Sequence, residues 1–332
     1  MSVASPILTP QTTATTPAPD TLARRLRASG RIMIGGGVLL IMLIACLATL
    51  PFTLDRSGTR FLKGALYFDR QTPALQRQTP ALRVNDKVTP TLWFGADTLG
   101  RSLLGRSLLG GSISLLIGFA SAAISVVLGV SVGLFAGYRG GWLDSLLMRS
   151  VDILYGLPYI LLVVLFKMAL EPAFGRAGFS PPVANLVVLF LAIGLVSWLT
   201  MARVIRGQVL SLRAQPFIEA CKAAGLGEWR IFTRHLLPNL IGPITVYATL
   251  IIPIAILEES FLSFLGIGIQ PPMPTWGSLA SDGLIPALNR IHQYPHMLIV
   301  PCALLSITLL SLNFMGDGLR DVFDPKREAA KV

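Results

Sequence analysis

Apolar residues come in long blocks along this chain. Six stretches, at 32–50, 112–136, 153–170, 183–204, 241–265 and 297–314, are predominantly hydrophobic. A helix needs about 20 apolar residues to cross the hydrocarbon core of a bilayer. The pattern therefore predicts an all-α, polytopic membrane protein with six transmembrane helices. It divides the chain into a tail (1–31), a first span, a long loop (51–111), a core of five spans (112–316) and a second tail (317–332). Residues 1–20 are rich in Thr, Pro and Ala without periodicity, the composition of a disordered segment. No basic region leads into an apolar core there, so the first block reads as a retained span and not a signal peptide.

One segment breaks the apolar pattern. FIEACKAAGLGEWRIFTRHLLPN, residues 217–239, is amphipathic and charged. Pro216 suits a first helical turn, where its missing N–H costs nothing. Phe217, Ala220, Cys221 and Ala224 recur at i, i+3, i+4 and i+7, one apolar face of small residues with a single aromatic knob. Gly225 falls where a left-handed cap would end the helix, and Gly227 loosens the turn further. A second short helix is expected from Glu228, with Trp229, Phe232 and Leu236 on its apolar face and Arg230 and Arg234 on another. His235 is expected to cap carbonyls at its end, and Pro238 to mark re-entry into the membrane. Residues 217–239 thus predict a helix-turn-helix elbow, set in a coupling loop over 205–239 that lies outside the lipid. Such a segment can lie on headgroups; its small face with one Phe fits a protein groove better.

The second span carries Ser121, Ser125, Gly129, Gly133 and Gly137 at four-residue spacing, hence on one helix face. A ridge of small residues lets another helix approach backbone to backbone. That helix can belong to this chain or to a second, similar subunit.

Composition agrees with the spans. Of 332 residues, 53% are hydrophobic and 14% charged, against about 25% charged in soluble domains. The net charge of +11 comes without any interleaved basic and aromatic motif, so it points to anionic lipid and not to nucleic acid. Arg24, Arg25, Arg27 and Arg31, the loops after spans two and four, and the last tail all carry Lys and Arg on one side of a six-span chain. By the positive-inside rule that side is the cytoplasm, which places both termini there. The loop 51–111 conflicts, with nine basic residues, but it is near the length at which the rule weakens.

Little in the sequence points to catalysis. A nucleotide-binding P-loop ends in Lys followed by Ser or Thr, and no Lys here is so followed. No Ser/His/Asp or Cys/His set is placed for nucleophilic work, and no cofactor is expected. Cys46, Cys221 and Cys302 show no disulfide or metal spacing. His292 and His296 have metal-pair spacing, but Pro295 between them disfavours one helix, so no metal is expected. Glu258 and Glu259 lie toward the far end of span five, and acids inside a membrane are functional suspects. Asp152 is expected to pair with an Arg, and Trp276, Trp142 and Tyr138 to sit at headgroup level.

Four blocks of the sequence resemble one known family. EACKAAG followed by RHLLPN resembles the E-A-A, three residues, G loop in the membrane subunits of binding-protein-dependent ABC importers. Glu219, Ala220 and Gly225 fit; Cys221 replaces the second Ala, small for small. FGADTLGRSLLGRSLLGGSISLLIG (94–118), EESFLSFLGIGIQPPMPTWGSLASDG (258–283) and NFMGDGLRDVFDPK (313–326) are similar to the C-type subunit of the oligopeptide/dipeptide permease branch. The resemblance implies an ABC importer type I permease fold in a bacterial inner membrane. It implies a homologous permease subunit, two ATPase subunits and an extracytoplasmic solute-binding protein as partners, with ATP hydrolysed outside this chain. Phe217, Glu219, Ala220, Cys221, Ala224, Gly225, Trp229 and His235 are then expected to couple to the ATPase. Gly129, Gly133, Gly137 and Glu259 are expected to serve subunit packing or a gate. Peptides are the expected cargo; nickel complexes, glutathione and oligosaccharides are alternatives within the branch. A proton-coupled secondary transporter built on Glu258 and Glu259 is the rival from outside it.

Overall fold

A computed structural model describes residues 22–54, 66–81, 83–84, 87–88, 92–289 and 293–323. Its helices are α1 (Leu22–Ala28), α2 (Gly30–Thr53), α3 (Leu103–Arg139), α4 (Gly141–Tyr155), α5 (Tyr159–Arg176), α6 (Pro181–Arg213), α7 (Pro216–Ala223), α8 (Glu228–Ile231), α9 (Leu237–Phe264), α10 (Trp276–Ala287) and α11 (His296–Phe323). A short antiparallel strand pair, Arg83–Val84 with Lys87–Val88, lies in the long loop.

Gly30–Thr53, Leu103–Arg139, Pro181–Arg213, Glu228–Phe264 and His296–Phe323 are each long and apolar enough to cross a membrane. The pair α4 and α5 makes a sixth candidate, bent by 101°. The third span, expected to run unbroken over 153–170, is therefore divided at residues 156–158. Pro158 has no N–H for a helical bond, and its ring disfavours helical geometry in Leu157. The helices also outrun the apolar blocks. With 37 residues, α3 rises about 55 Å, against roughly 30 Å of hydrocarbon. It therefore extends beyond the hydrocarbon at one end or both.

The spine of the fold is α3 against α6. A Cβ added at Gly129 would lie 2.5 Å from Met201 Cβ, one at Gly133 2.5 Å from the Ala202 carbonyl, and one at Gly137 2.9 Å from the Arg206 carbonyl. Real Cβ atoms do not approach so closely, so only glycine permits this contact. Ser121 continues the ridge and donates to the Phe190 carbonyl at 3.2 Å. The ridge thus packs this chain's own helices, one of the two uses the spacing left open.

At the end where α3 begins, an ion cluster seals the bundle. Asp97 Oδ1 accepts from the backbone N–H groups of Leu99 and Arg101, both at 2.9 Å. Its Oδ2 accepts from Arg101 Nε and Arg106 Nη1, both at 2.7 Å. Arg106 also reaches Asp282 on α10 at 3.3 Å. A buried carboxylate with four donors is fully satisfied, which is what burial of a charge requires. Trp276 is buried beneath this cluster, its indole N–H donating to the Ser107 carbonyl at 3.0 Å. It is a core residue and not the headgroup anchor expected. Tyr138 is buried as well, while Trp142 is exposed.

Candidate functional site

The elbow lies at the opposite end of the bundle. Helix α7 starts with Pro216 in its first turn and stops in a Schellman turn. Gly225 adopts φ +73°, its N–H donates to the Lys222 carbonyl at 2.9 Å, and the Leu226 N–H donates to Cys221 at 3.1 Å. Left-handed geometry is where glycine was expected to act. Gly227 lies in extended geometry at φ −65° as the cap of α8.

The faces of the elbow differ from the periodic reading. Ile218 is fully buried, and Cys221 and Leu226 pack half-buried on the same core cluster. Phe217 is 41% exposed, and Glu219, Ala220 and Ala224 are exposed beside it. So Cys221 leaves the face on which it was placed and joins Ile218 on the anchoring face. The second face also splits: Phe232 and Leu236 are buried, whereas Trp229 is 72% exposed. What remains outward is one Phe, two Ala and one Trp, with Glu219 among them.

The second elbow helix does not end before the fifth span. From Glu228 the chain runs through a π turn at Phe232–Leu236 directly into α9. Pro238 lacks the N–H that would serve a carbonyl one turn back, and the wider π turn accommodates the loss. Asn239 Nδ2 donates to the His235 carbonyl at 2.7 Å. His235 therefore sits half-buried inside a continuous helix and caps no helix end.

The elbow grips the bundle at the end of α3. Phe232 meets Phe135 edge-on, with centroids 5.4 Å apart, and Tyr138 at 4.8 Å. Lys222 Nζ lies over the Tyr138 ring at 5.2 Å. Arg139 pairs with Glu228 at 2.9 Å, but both side chains are half exposed, so that pair is worth about 1 kcal/mol at most. The neighbouring α4 is pinned to α6 by a two-pronged Arg206–Asp144 pair at 2.5 and 2.7 Å and by Arg203–Asp152 at 2.9 Å. Asp152 thus has the arginine partner expected of it.

Residues 129–329 match the family model of the binding-protein-dependent transport system inner membrane component. The chain belongs to that family. Among its relatives, the oligopeptide transport system permease protein OppC of Haemophilus influenzae is 45% identical over 234 residues, 70% of each chain. The dipeptide transport system permease protein DppC of Bacillus subtilis is 42% identical over 70% of this chain and 68% of its own. OppC of Escherichia coli K12 is 46% identical over 70% and 72%. A solved structure of the MetNI methionine ABC transporter in an inward-facing conformation superposes with a TM-score of 0.52, covering 64% of this chain and 94% of that one at 20% identity. At that identity the likeness speaks for the fold.

This inner membrane component keeps Glu259 away from every surface. The side chain is 0% exposed. Its Oε1 accepts from Ser263 Oγ at 2.7 Å, and its Oε2 from Ser114 Oγ at 3.0 Å and Ser260 Oγ at 3.4 Å. Ser114 Oγ in turn accepts the backbone N–H of Trp276 at 3.4 Å. One carboxylate so joins α3 to α9 and, through Ser114, to α10. A second chain has no direct access to it in this conformation. His292 of the histidine pair lies outside the described residues; His296 is buried, its Nε2 3.4 Å from the Ala96 carbonyl.

Sequence reasoning missed Ile218 as the elbow's anchor and Tyr138 as its seat. Ile218 and Cys221 do stand at i, i+3, so the signal was present, but the aromatic beside it drew the face one residue away.

Proposed function

We propose that this chain is one permease subunit of an ATP-driven peptide importer, and that the elbow is its coupling element. The observation carrying this reading is the outward set of Phe217, Ala220, Ala224 and Trp229 on an elbow locked inward by Ile218. An anchored helix with a small, apolar, unpartnered face is shaped for a groove in another protein. The partner is a separate ATPase subunit, because this sequence carries no P-loop. Two such ATPases, one homologous permease chain and a solute-binding protein complete the assembly. The elbow and both termini then face the cytoplasm.

Mechanically, a push on α7 and α8 reaches α3 through Phe232 and Tyr138. It reaches α9 through unbroken helix. Closure of an ATPase dimer would swing both spans together, a rigid-body transition of the kind packed helices support. Peptide cargo is supported by the relatives at 42–46% identity, which are named for oligopeptide and dipeptide transport. The glutathione transport system permease protein GsiD of Pectobacterium atrosepticum, 36% identical over 74% of this chain, favours glutathione as a second reading; it too is a small peptide.

The test is crosslinking in the assembled membrane complex. Ala220→Cys and Trp229→Cys should crosslink to the ATPase, whereas a cysteine at the fully buried Ile218 should not. Absence of crosslinks from both exposed positions would overturn the coupling reading.

A further inference from the structure

The bend between α4 and α5 opens a cavity. It has a volume of about 480 Å³ and lies between the bend, the middle of α6 and the middle of α9. Its walls are mostly apolar, with Tyr155, Ile254 and other hydrophobic side chains. Four polar side chains also reach it: Tyr159, Ser197, Thr200 and Glu258. Ser197 Oγ is committed to the Ile193 carbonyl at 2.9 Å. Glu258 Oε2 and the Tyr159 hydroxyl are different: both atoms are buried and interact with each other, yet neither has a partner at close hydrogen-bonding geometry among the described residues.

A carboxylate oxygen and a hydroxyl that satisfy each other only loosely inside an apolar helix bundle favour a ligand that bonds to both. The nearby cation does not serve. Arg203 stacks over the Tyr155 ring at 4.3 Å and is paired with Asp152. A proton relay through the adjacent acid does not fit either. Adjacent residues on a helix face different directions, and Glu259 points into its sealed serine cluster. The cavity volume falls within the range of small-ligand pockets, about 300–1,000 Å³. That is room for a short peptide or for one end of a longer one.

We propose that this cavity receives the N-terminal ammonium of a peptide in transit, with Glu258 as its counter-charge and the Tyr159 hydroxyl bonding the first peptide group. This rests on the peptide-importer reading and adds to it a defined subsite for the amino terminus within this chain. A charge-assisted hydrogen bond shielded from water is strong enough to discriminate a charged terminus from a blocked one.

The experiment uses the assembled complex, without binding protein, carrying Thr200→Cys. Thr200 lines the cavity and is exposed. The rate of maleimide labelling at that thiol is read by mass spectrometry, which separates it from Cys46, Cys221 and Cys302. Trialanine should slow labelling about tenfold more than N-acetyl-trialanine at equal concentration, the factor expected of one charge-assisted bond. Glu258→Gln should erase the difference, and Tyr159→Phe should reduce it. Equal protection by the two peptides overturns the proposal, as does a difference that survives Glu258→Gln. A thiol that stays unreactive with or without peptide shows lipid or the partner permease filling the cavity, and also overturns it. Should Glu258→Gln fail to assemble, the two peptides on the Glu258 background still decide. ATP-driven trialanine uptake into proteoliposomes with the binding protein, measured in parallel, separates the two readings. Uptake without protection rejects the subsite and keeps the importer; no uptake of any peptide rejects both.

Discussion

Phe232 of the elbow stands edge-on to Tyr138 at the end of α3, with ring centroids 4.8 Å apart and planes at 87°. Both rings are buried, so the contact persists where the exposed Arg139–Glu228 pair is screened. It is the tightest aromatic link between elbow and bundle, and it gives the elbow a rigid path to the helix that packs most closely on α6.

Phe232→Leu keeps the bulk and loses the edge-to-face geometry, worth about 0.5–1.5 kcal/mol for each of its two aromatic neighbours. The expected result is ATP-driven uptake slowed by about tenfold, with the ATPase still co-purifying. Normal uptake at normal membrane levels would remove this contact from the coupling path.

Adjacent residues on α7 should behave oppositely. Phe217→Ala removes an exposed side chain, so the permease should unfold at the same temperature while ATPase capture in a pull-down weakens by about tenfold or more, the loss of an aromatic anchor. Ile218→Ala empties a fully buried position and should destabilise by about 2–5 kcal/mol, visible in thermal unfolding of the detergent-solubilised chain before any partner is added. A swap of these two outcomes would mean that the elbow faces were assigned the wrong way round.

The number of spans and the elbow were legible because each rests on local pattern: apolar length for the spans, glycine and proline punctuation for the elbow. Gly225 could be read because one residue type answers one backbone demand. What was not legible depends on neighbours far along the chain. Trp276 carries the same amphipathic character whether it meets headgroups or the Ser107 carbonyl. The Gly129 to Gly137 ridge fits any close helix, and only the fold shows that α6 fills it. The break in span three hung on Pro158, a cue that apolar length overrode. The π turn escaped notice because Pro238 reads as a stop unless the helix widens just before it.

The ridge makes a direct prediction about stability. Gly133→Ala would place a methyl 2.5 Å from the Ala202 carbonyl, and overpacking of this kind costs about 1–3 kcal/mol. Gly37→Ala, in α2, meets nothing within 4 Å and should be neutral or stabilise by up to about 1 kcal/mol, as alanine does for glycine in a helix. Thermal unfolding of the two variants side by side checks both signs.

Gly225 separates backbone strain from crowding. A Cβ there would meet nothing within 4 Å, so any penalty comes from φ +73° alone. For an ordinary L-residue the left-handed region costs about 1–2 kcal/mol, and a β-branched residue fares worst. Asn tolerates that region better than most. The expected order of uptake is therefore Gly, then Asn, then Ala, with Val at the bottom. The loss should track ATPase capture and not membrane insertion, because the Schellman turn sets the angle between α7 and α8 and the spans do not depend on it. If Gly225→Val instead matched Gly225→Asn in uptake, the turn would have to tolerate an extended backbone, and the angle between the elbow helices could not be what transmits the ATPase motion.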